Sequence, residues 1–250
     1  MARNFLTLLL LGSVAVATAQ SPEKLLGASD AQPGQFPYMV SLRLNGNHMC
    51  GGAIISQYHV LTAAHCVKAL VDYTNYVSVV TGTIYLHEGG QSYGVAAMFT
   101  HPGYNPGSQP NNDVGVIKLA EPISYNEWQQ SIPLPTADPP AGNYVVVSAW
   151  GETSPPPYGP LPNTLHYVYL MVISYGECSR YHELDVSRKV VCTFDGVGIG
   201  LCPGDSGSPV VYNNQIVGVV SRGIPCARGV PDVSTSVYDT LDFIRAAMEL

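Results

Sequence analysis

Gly204-Asp205-Ser206-Gly207-Ser208-Pro209 reads locally as a turn, because Gly204 and Gly207 bracket Asp205-Ser206 and a proline closes it. Immediately downstream lie two short apolar runs, 209–212 and 215–221, of strand length and too short for helices. Runs of the same kind recur upstream at 38–44, 53–61, 77–81, 114–119, 144–149 and 165–173. Turn-rich segments separate them, among them Asn45-Gly46-Asn47, Pro102-Gly103-Tyr104-Asn105-Pro106-Gly107 and Ser154-Pro155-Pro156-Pro157-Tyr158-Gly159-Pro160. The pattern predicts an all-β meander with long connecting loops. Only 237–250 reads as a helix: Val237, Leu241, Ile244 and Met248 recur at helical spacing and form a stripe suited to packing on the strands.

The composition sets bounds on the rest. The 250 residues are 46% hydrophobic and 12% charged, enough apolar material for a large core, and 25 Gly, 20 Pro and 16 Tyr favour strands and tight turns. Met1-Ala2-Arg3-Asn4, an apolar run at 5–16 and then Ala17-Thr18-Ala19 have the order of a secretory signal peptide, assigned to 1–19. Export follows, and no later stretch approaches the roughly 18 uninterrupted apolar residues of a membrane span. What remains, roughly 230 residues, suits one all-β folding unit with room for two similar halves. The formal charge of -7 becomes about -8 once Arg3, Glu23 and Lys24 leave with the leader; no basic cluster remains, which argues against nucleic acid as a partner. Six cysteines in an exported chain favour three disulfides over a metal site, since no Cys-x-x-Cys or His-x-x-x-His spacing occurs; the residues alone leave the connectivity open.

Two further motifs precede the serine: Leu61-Thr62-Ala63-Ala64-His65-Cys66 and Asn111-Asn112-Asp113-Val114-Gly115-Val116. Alone, each has a structural explanation. Together and in this order they supply the parts of nucleophilic catalysis. A serine hydroxyl is a poor nucleophile at neutral pH, a histidine can take and return its proton, and a carboxylate can fix the tautomer of that histidine. In these motifs, from residue 25 onward, the chain resembles the chymotrypsin-like serine proteases of the trypsin superfamily, and among them the invertebrate chymotrypsin- and collagenase-like enzymes.

The resemblance implies two six-stranded antiparallel β-barrels with a C-terminal α-helix, a protease domain at 25–250, and an activation propeptide at 20–24. It makes His65, Asp113 and Ser206 the catalytic residues and the backbone N–H groups of Gly204 and Ser206 the oxyanion hole. It implies cleavage after Lys24, so that the freed Leu25 amine pairs with Asp205, a carboxylate costly to bury unpaired. After Lys24 the sequence reads Leu25-Leu26-Gly27-Ala28 where the family usually has Ile-Val-Gly-Gly. Pairing Cys50 with Cys66, Cys178 with Cys192 and Cys202 with Cys226 fits the same template.

For specificity, Gly200 stands where trypsins carry an aspartate at the pocket floor, and with Gly223 on one wall it favours large apolar side chains before the scissile bond. Leu201 is expected to shorten the floor, and Asp232, where glycine is usual, to admit a basic side chain as a second choice or to pair with Arg228. The family's Ser-Trp-Gly is replaced by Ser221-Arg222-Gly223, a cation in place of an apolar platform; Ser208 replaces a glycine, and Ser234 a tyrosine. His87, Glu88 and His101 lack the paired carboxylates of a calcium loop, so no metal and no cofactor are expected. The expected partners are protein and peptide substrates, a trypsin-like activating protease and protein inhibitors, acting on an extracellular monomer. A non-catalytic homologue serving as a binding module is the competing reading. It would leave both the triad and the activation bond without a purpose.

Overall fold

A computed structural model describes residues 28–106, 112–153, 157, 159–182, 190–222 and 226–250. The leader 1–19, the propeptide 20–24 with Lys24, and Leu25, Asn111 and Gly223 lie outside the described residues. The strands are β1 (Ser29–Asp30), β2 (Met39–Leu44), β3 (Asn47–Ile54), β4 (His59–Thr62), β5 (Val77–Thr81), β6 (Gln91–Thr100), β7 (Gly115–Leu119), β8 (Tyr144–Ala149), β9 (His166–Met171), β10 (Val190–Thr193), β11 (Pro209–Tyr212), β12 (Gln215–Arg222) and β13 (Asp232–Ser236). The helices are α1 (Ala64–Leu70), α2 (Tyr175–Tyr181) and α3 (Leu241–Glu249).

The first half is a closed antiparallel barrel in the order β2-β3-β4-β7-β6-β5, with β5 pairing back onto β2 from Val40↔Thr81 to Leu44↔Val77. Its tightest hairpin, β2–β3, turns at Asn45 and Gly46, both at positive φ (51° and 82°), as a two-residue turn matched to strand twist requires. Leu42, Ile54, Leu61, Val79, Ile117 and Leu119 fill the interior. Each such side chain stabilises the fold by about 1.5–3 kcal/mol relative to exposure.

The second half departs from the expected six-stranded barrel. It is a seven-stranded sheet ordered β1-β9-β8-β11-β12-β13-β10, and it is not closed by a ladder. β9 and β10 meet only at their ends, because β10 is four residues long and stops at Thr193. Among the described residues, the Val172↔Thr193 bridge spans this seam, with Ile173 N–H donating to Cys192 O (3.0 Å) and Phe194 N–H to Met171 O (2.9 Å). The seventh strand is β1, added to the outer edge of β9. Val145, Val147, Val168, Leu170, Val210 and Val217 form the interior.

The C-terminal helix is present as α3, after a short 3₁₀ turn at Tyr238–Thr240, with Leu241, Ile244 and Ala247 buried and Met248 partly so. It rests on the first barrel. The Phe243 ring lies 5.1 Å from that of His101, and Lys118 Nζ on β7 donates to the Leu250 carbonyl at 2.9 Å. Helices α1 and α2 are additions to the sequence reading, and α1 matters most because it carries His65.

Candidate active site

Three packing events bring the motif residues together. Gly115 opens β7 with no side chain, and a Cβ there would lie 2.7 Å from Val67 Cγ2 of α1, so the glycine lets α1 settle onto β7. That contact sets His65, in the first turn of α1, beside Asp113, two residues before β7. Asn112 adopts φ +46° and its amide donates to Gly103 O at 2.9 Å, fixing the turn into Asp113.

The Asp113 carboxylate, 2% exposed, accepts three hydrogen bonds. His65 N–H donates to Oδ1 at 2.8 Å, His65 Nδ1–H to Oδ2 at 2.7 Å, and the Ser221 hydroxyl to Oδ2 at 2.7 Å. With Nδ1 carrying the proton, Nε2 of the neutral ring is left as a base. The sequence marks Ser221 only as part of the Ser221-Arg222-Gly223 stretch beside the specificity pocket; in the structure it also braces the carboxylate.

Ser206 comes from the second half, and the first half grips it. Gly51 N–H donates to Ser206 O at 2.8 Å, and Cys50, next to Gly51, is disulfide-bonded to Cys66, next to His65. The histidine and serine segments are thus linked through one disulfide and one backbone hydrogen bond. Gly207, at φ +80°, completes the docking: a Cβ there would collide with Thr62 Oγ1 and Gly51 O. Cys178–Cys192 and Cys202–Cys226 are also bonded, so all three bridges pair as the template implied.

Asp205 is fully buried between backbone donors, Gly151 N–H to Oδ1 (2.8 Å) and Cys202 N–H to Oδ2 (2.7 Å). Burial pushes its carboxyl up to about 7; the two hydrogen bonds oppose that shift and the charge of Asp232 adds to it. Gly204, at φ +95°, packs where a Cβ would lie 3.0 Å from both Gly151 Cα and Leu161 Cδ2. Its carbonyl accepts from His48 Nε2–H at 3.3 Å, the Ser41 hydroxyl donates to His48 Nδ1 at 2.9 Å, and Arg43 Nε–H donates to Ser41 Oγ at 3.0 Å. Burial first, and the Arg43 charge in addition, bring His48 down to about 4 against the bond to Gly204, so this ring is a neutral prop for the Gly204 loop. Sequence reasoning missed this chain, since a lone histidine on a strand carries no motif.

Beside Ser206 is a cavity of about 130 Å³ lined by Leu201, Cys202, Pro203, Ser206, Val220, Ser221, Arg222 and Asp232. Gly200 lies beneath this lining: a Cβ there would be 2.8 Å from Asp232 Oδ2, so the aspartate occupies the volume above the glycine. Asp232 is 5% exposed, accepts from Leu201 N–H at 3.0 Å and is pushed up to about 7 by burial, while Arg228 is solvent-exposed. Ser234 and Ser208 are fully buried, and Ser208 Oγ rests against Gly51.

The comparisons with known proteins agree with this geometry. The family model described as Trypsin matches residues 25–244. The chain belongs to the trypsin family. Among its relatives, Chymotrypsin-2 of Vespa crabro is 37% identical over 222 residues, covering 88% of this chain and 98% of the relative. Trypsin I-P1 of Gallus gallus is 35% identical over 252 residues, covering 98% of each. Among solved structures, neuropsin, a serine protease expressed in the limbic system of mouse brain, superposes with a TM-score of 0.81 at 26% identity, covering 88% of this chain and 98% of its own. This trypsin-family chain is a serine endopeptidase whose substrates are proteins. Among its described residues, no helix is long and apolar enough to cross a membrane.

Proposed function

We propose that this protease is exported as a precursor, is activated by a trypsin-like enzyme cutting after Lys24, and cleaves preferentially after large apolar residues, with basic residues as a second choice. The observation that carries the catalytic assignment is Asp113 holding His65 through two hydrogen bonds, in a site whose adjoining cavity has Ser206 in its wall. Ser206 Oγ attacks the carbonyl carbon while its proton passes to His65 Nε2, and Asp113 stabilises the resulting imidazolium. The oxyanion is met by the N–H groups of Gly204 and Ser206, with His48 fixing the carbonyl of the former. His65 then gives the proton to the amine as the C–N bond breaks, leaving an acyl-serine. Water, deprotonated by the same histidine, releases the acid and restores Ser206.

The pocket assignment rests on its lining: Leu201, Val220 and the Cys202–Cys226 bridge are apolar, and Asp232 is a protonatable carboxyl among them. The activation step rests on Asp205, whose burial favours a partner cation, and the freed Leu25 ammonium supplies one. Export rests on the order of residues 1–19. The product is an extracellular monomer subject to protein inhibitors, free of nucleic acid and membrane.

The test is hydrolysis of peptides differing only in the residue before the scissile bond (Phe, Leu, Ala, Arg) by protein activated with trypsin, the trypsin then removed, beside Ser206→Ala. Faster cleavage after Phe or Leu than after Arg supports the reading. Full processing at Lys24 with no peptide cleaved overturns it.

A further inference from the structure

Arg222 ends β12 directly after the serine that braces Asp113, and it lines the cavity beside Ser206. Its side chain is half-buried, and its terminal nitrogen Nη2 is shielded from solvent with no hydrogen-bond partner among the described residues. A desolvated guanidinium normally recovers its lost hydration through a carboxylate held by two parallel bonds. Neither nearby carboxylate does this here. Asp113 attracts Arg222 through its charge, but its oxygens already serve His65 N–H, His65 Nδ1–H and the Ser221 hydroxyl. Asp232 Oδ2 serves Leu201 N–H. Burial accordingly lowers the Arg222 pKa, against the pull of Asp113.

The chain has 11 Lys and Arg against 18 Asp and Glu, so a cation at the cleft contrasts locally with the overall charge. An acidic peptide that met only the overall field would be repelled; one reaching Arg222 would gain a partner that the described residues do not supply. An apolar peptide segment would cover the guanidinium and desolvate it further, with no return.

We propose that Arg222 is a specificity-determining residue that selects substrates carrying Asp or Glu at the second, third or fourth residue before the scissile bond. This deepens the peptidase reading and rests on it: Arg222 lines the cavity beside Ser206 that takes the side chain before the scissile bond in that reading, which leaves the residues upstream of it to meet the guanidinium. The selectivity is electrostatic, so it weakens with salt, and it separates acidic from neutral peptides by about tenfold or more in kcat/KM.

The experiment is a peptide scan with Phe fixed before the scissile bond and Ala, Asp, Glu, Lys or Phe placed in turn at the three positions upstream. It compares activated wild type with Arg222→Gln, Arg222→Lys and Arg222→Glu. The readout is the ratio of kcat/KM for each peptide to that of its Ala parent within one enzyme, which cancels differences in the active fraction. The proposal expects an acidic ratio of about ten or more at one position in wild type, falling as NaCl is raised. It expects a ratio near one in Arg222→Gln, partial retention in Arg222→Lys, and a preference for Lys peptides in Arg222→Glu. An acidic ratio near one in wild type overturns it, whatever the variants do, as does an acidic preference that survives Arg222→Gln, or Phe replacing the acids as the preferred residue. Failure to cut even the Ala parents instead removes the peptidase reading, so the two failures are distinct.

Discussion

If Asp232 meets the substrate side chain, as proposed, the preference of the pocket changes with pH. Burial holds this carboxyl at about 7 instead of its ordinary 3.8; the charge-coupled acid Asp205 is also buried, and Arg222 lines the same cavity. A shift of about three units corresponds to a cost on the order of 4 kcal/mol for the ionised form. The sign follows from the raised value: below about pH 7 Asp232 is neutral and accommodates an apolar side chain, and above it the carboxylate seeks a cation. About 1% of the carboxyl is ionised at pH 5 and about 90% at pH 8. The ratio of kcat/KM for an Arg peptide, which needs the carboxylate, to that for the matching Phe peptide, which needs the neutral acid, should therefore rise with the ratio of ionised to neutral Asp232, from about 0.01 at pH 5 to about 10 at pH 8, by up to about a thousandfold. Taking the ratio cancels every ionisation common to both reactions, including any in the catalytic residues. Asp232→Asn should flatten the profile at a low Arg ratio. A wild-type ratio independent of pH would refute the reasoning, and so would a slope that persists in Asp232→Asn.

The same two buried acids affect the precursor's stability. Their folded pKa values are raised, so the folded state retains protons that the unfolded chain has lost, and stability falls as pH rises from about 4 to about 7, then levels off. Urea denaturation of the precursor across that range should show the decline, and Asp232→Asn should make it shallower. At Gly51, alanine would overlap Ser208 Oγ and should destabilise by about 1–3 kcal/mol. Adding Ser208→Gly should restore at least half of that loss, whereas strictly additive changes would show that the two sites do not touch. If the Leu25 ammonium pairs with Asp205, its own pKa rises above the ordinary value of about 8, and activity declines once that amine deprotonates. Chemical blocking of the new N-terminus should abolish this alkaline limb, and an unchanged limb would contradict the pairing.

Strands β5, β8 and β11 coincide with the apolar runs 77–81, 144–149 and 209–212, because each is a continuous valine-rich stretch bounded by turn residues. The run 53–61 reads as one strand but contains the end of β3, a reversal at Ser56–Tyr58 and all but the last residue of β4. Ala53-Ile54-Ile55 and Val60-Leu61 lie on either side of the reversal because both strands are buried there, and Ser56-Gln57-Tyr58, which contains no Gly, Pro or Asn, does little to mark the break. β13 is hidden for the opposite reason: Asp232-Val233-Ser234-Thr235-Ser236 contains no apolar run, yet every residue is buried against β12 and β10. A bulge between Val95 and Ala97 obscures the alternation of β6, and α1, at seven residues, is too short to show a helical period. At the site, the Gly204–Ser206 motif is legible because neighbouring residues of one turn carry its roles. The His65–Asp113 contact spans 48 residues and could be read only through family resemblance. His48, Ser41 and Arg43 were not legible at all, because their part comes from barrel register, which sets one strand face against the Gly204 loop.

The central claim is that Ser206, activated by His65 on Asp113, is the nucleophile of a peptidase. The measurement that meets it most directly is intact-mass and peptide mapping of trypsin-activated, trypsin-free protein after reaction with a serine-directed fluorophosphonate. The account predicts a single adduct per chain, located on Ser206, formed in step with loss of peptidase activity and strongly slowed by His65→Ala. A fully processed chain that takes up no reagent, or one whose adduct and activity survive Ser206→Ala, would contradict it.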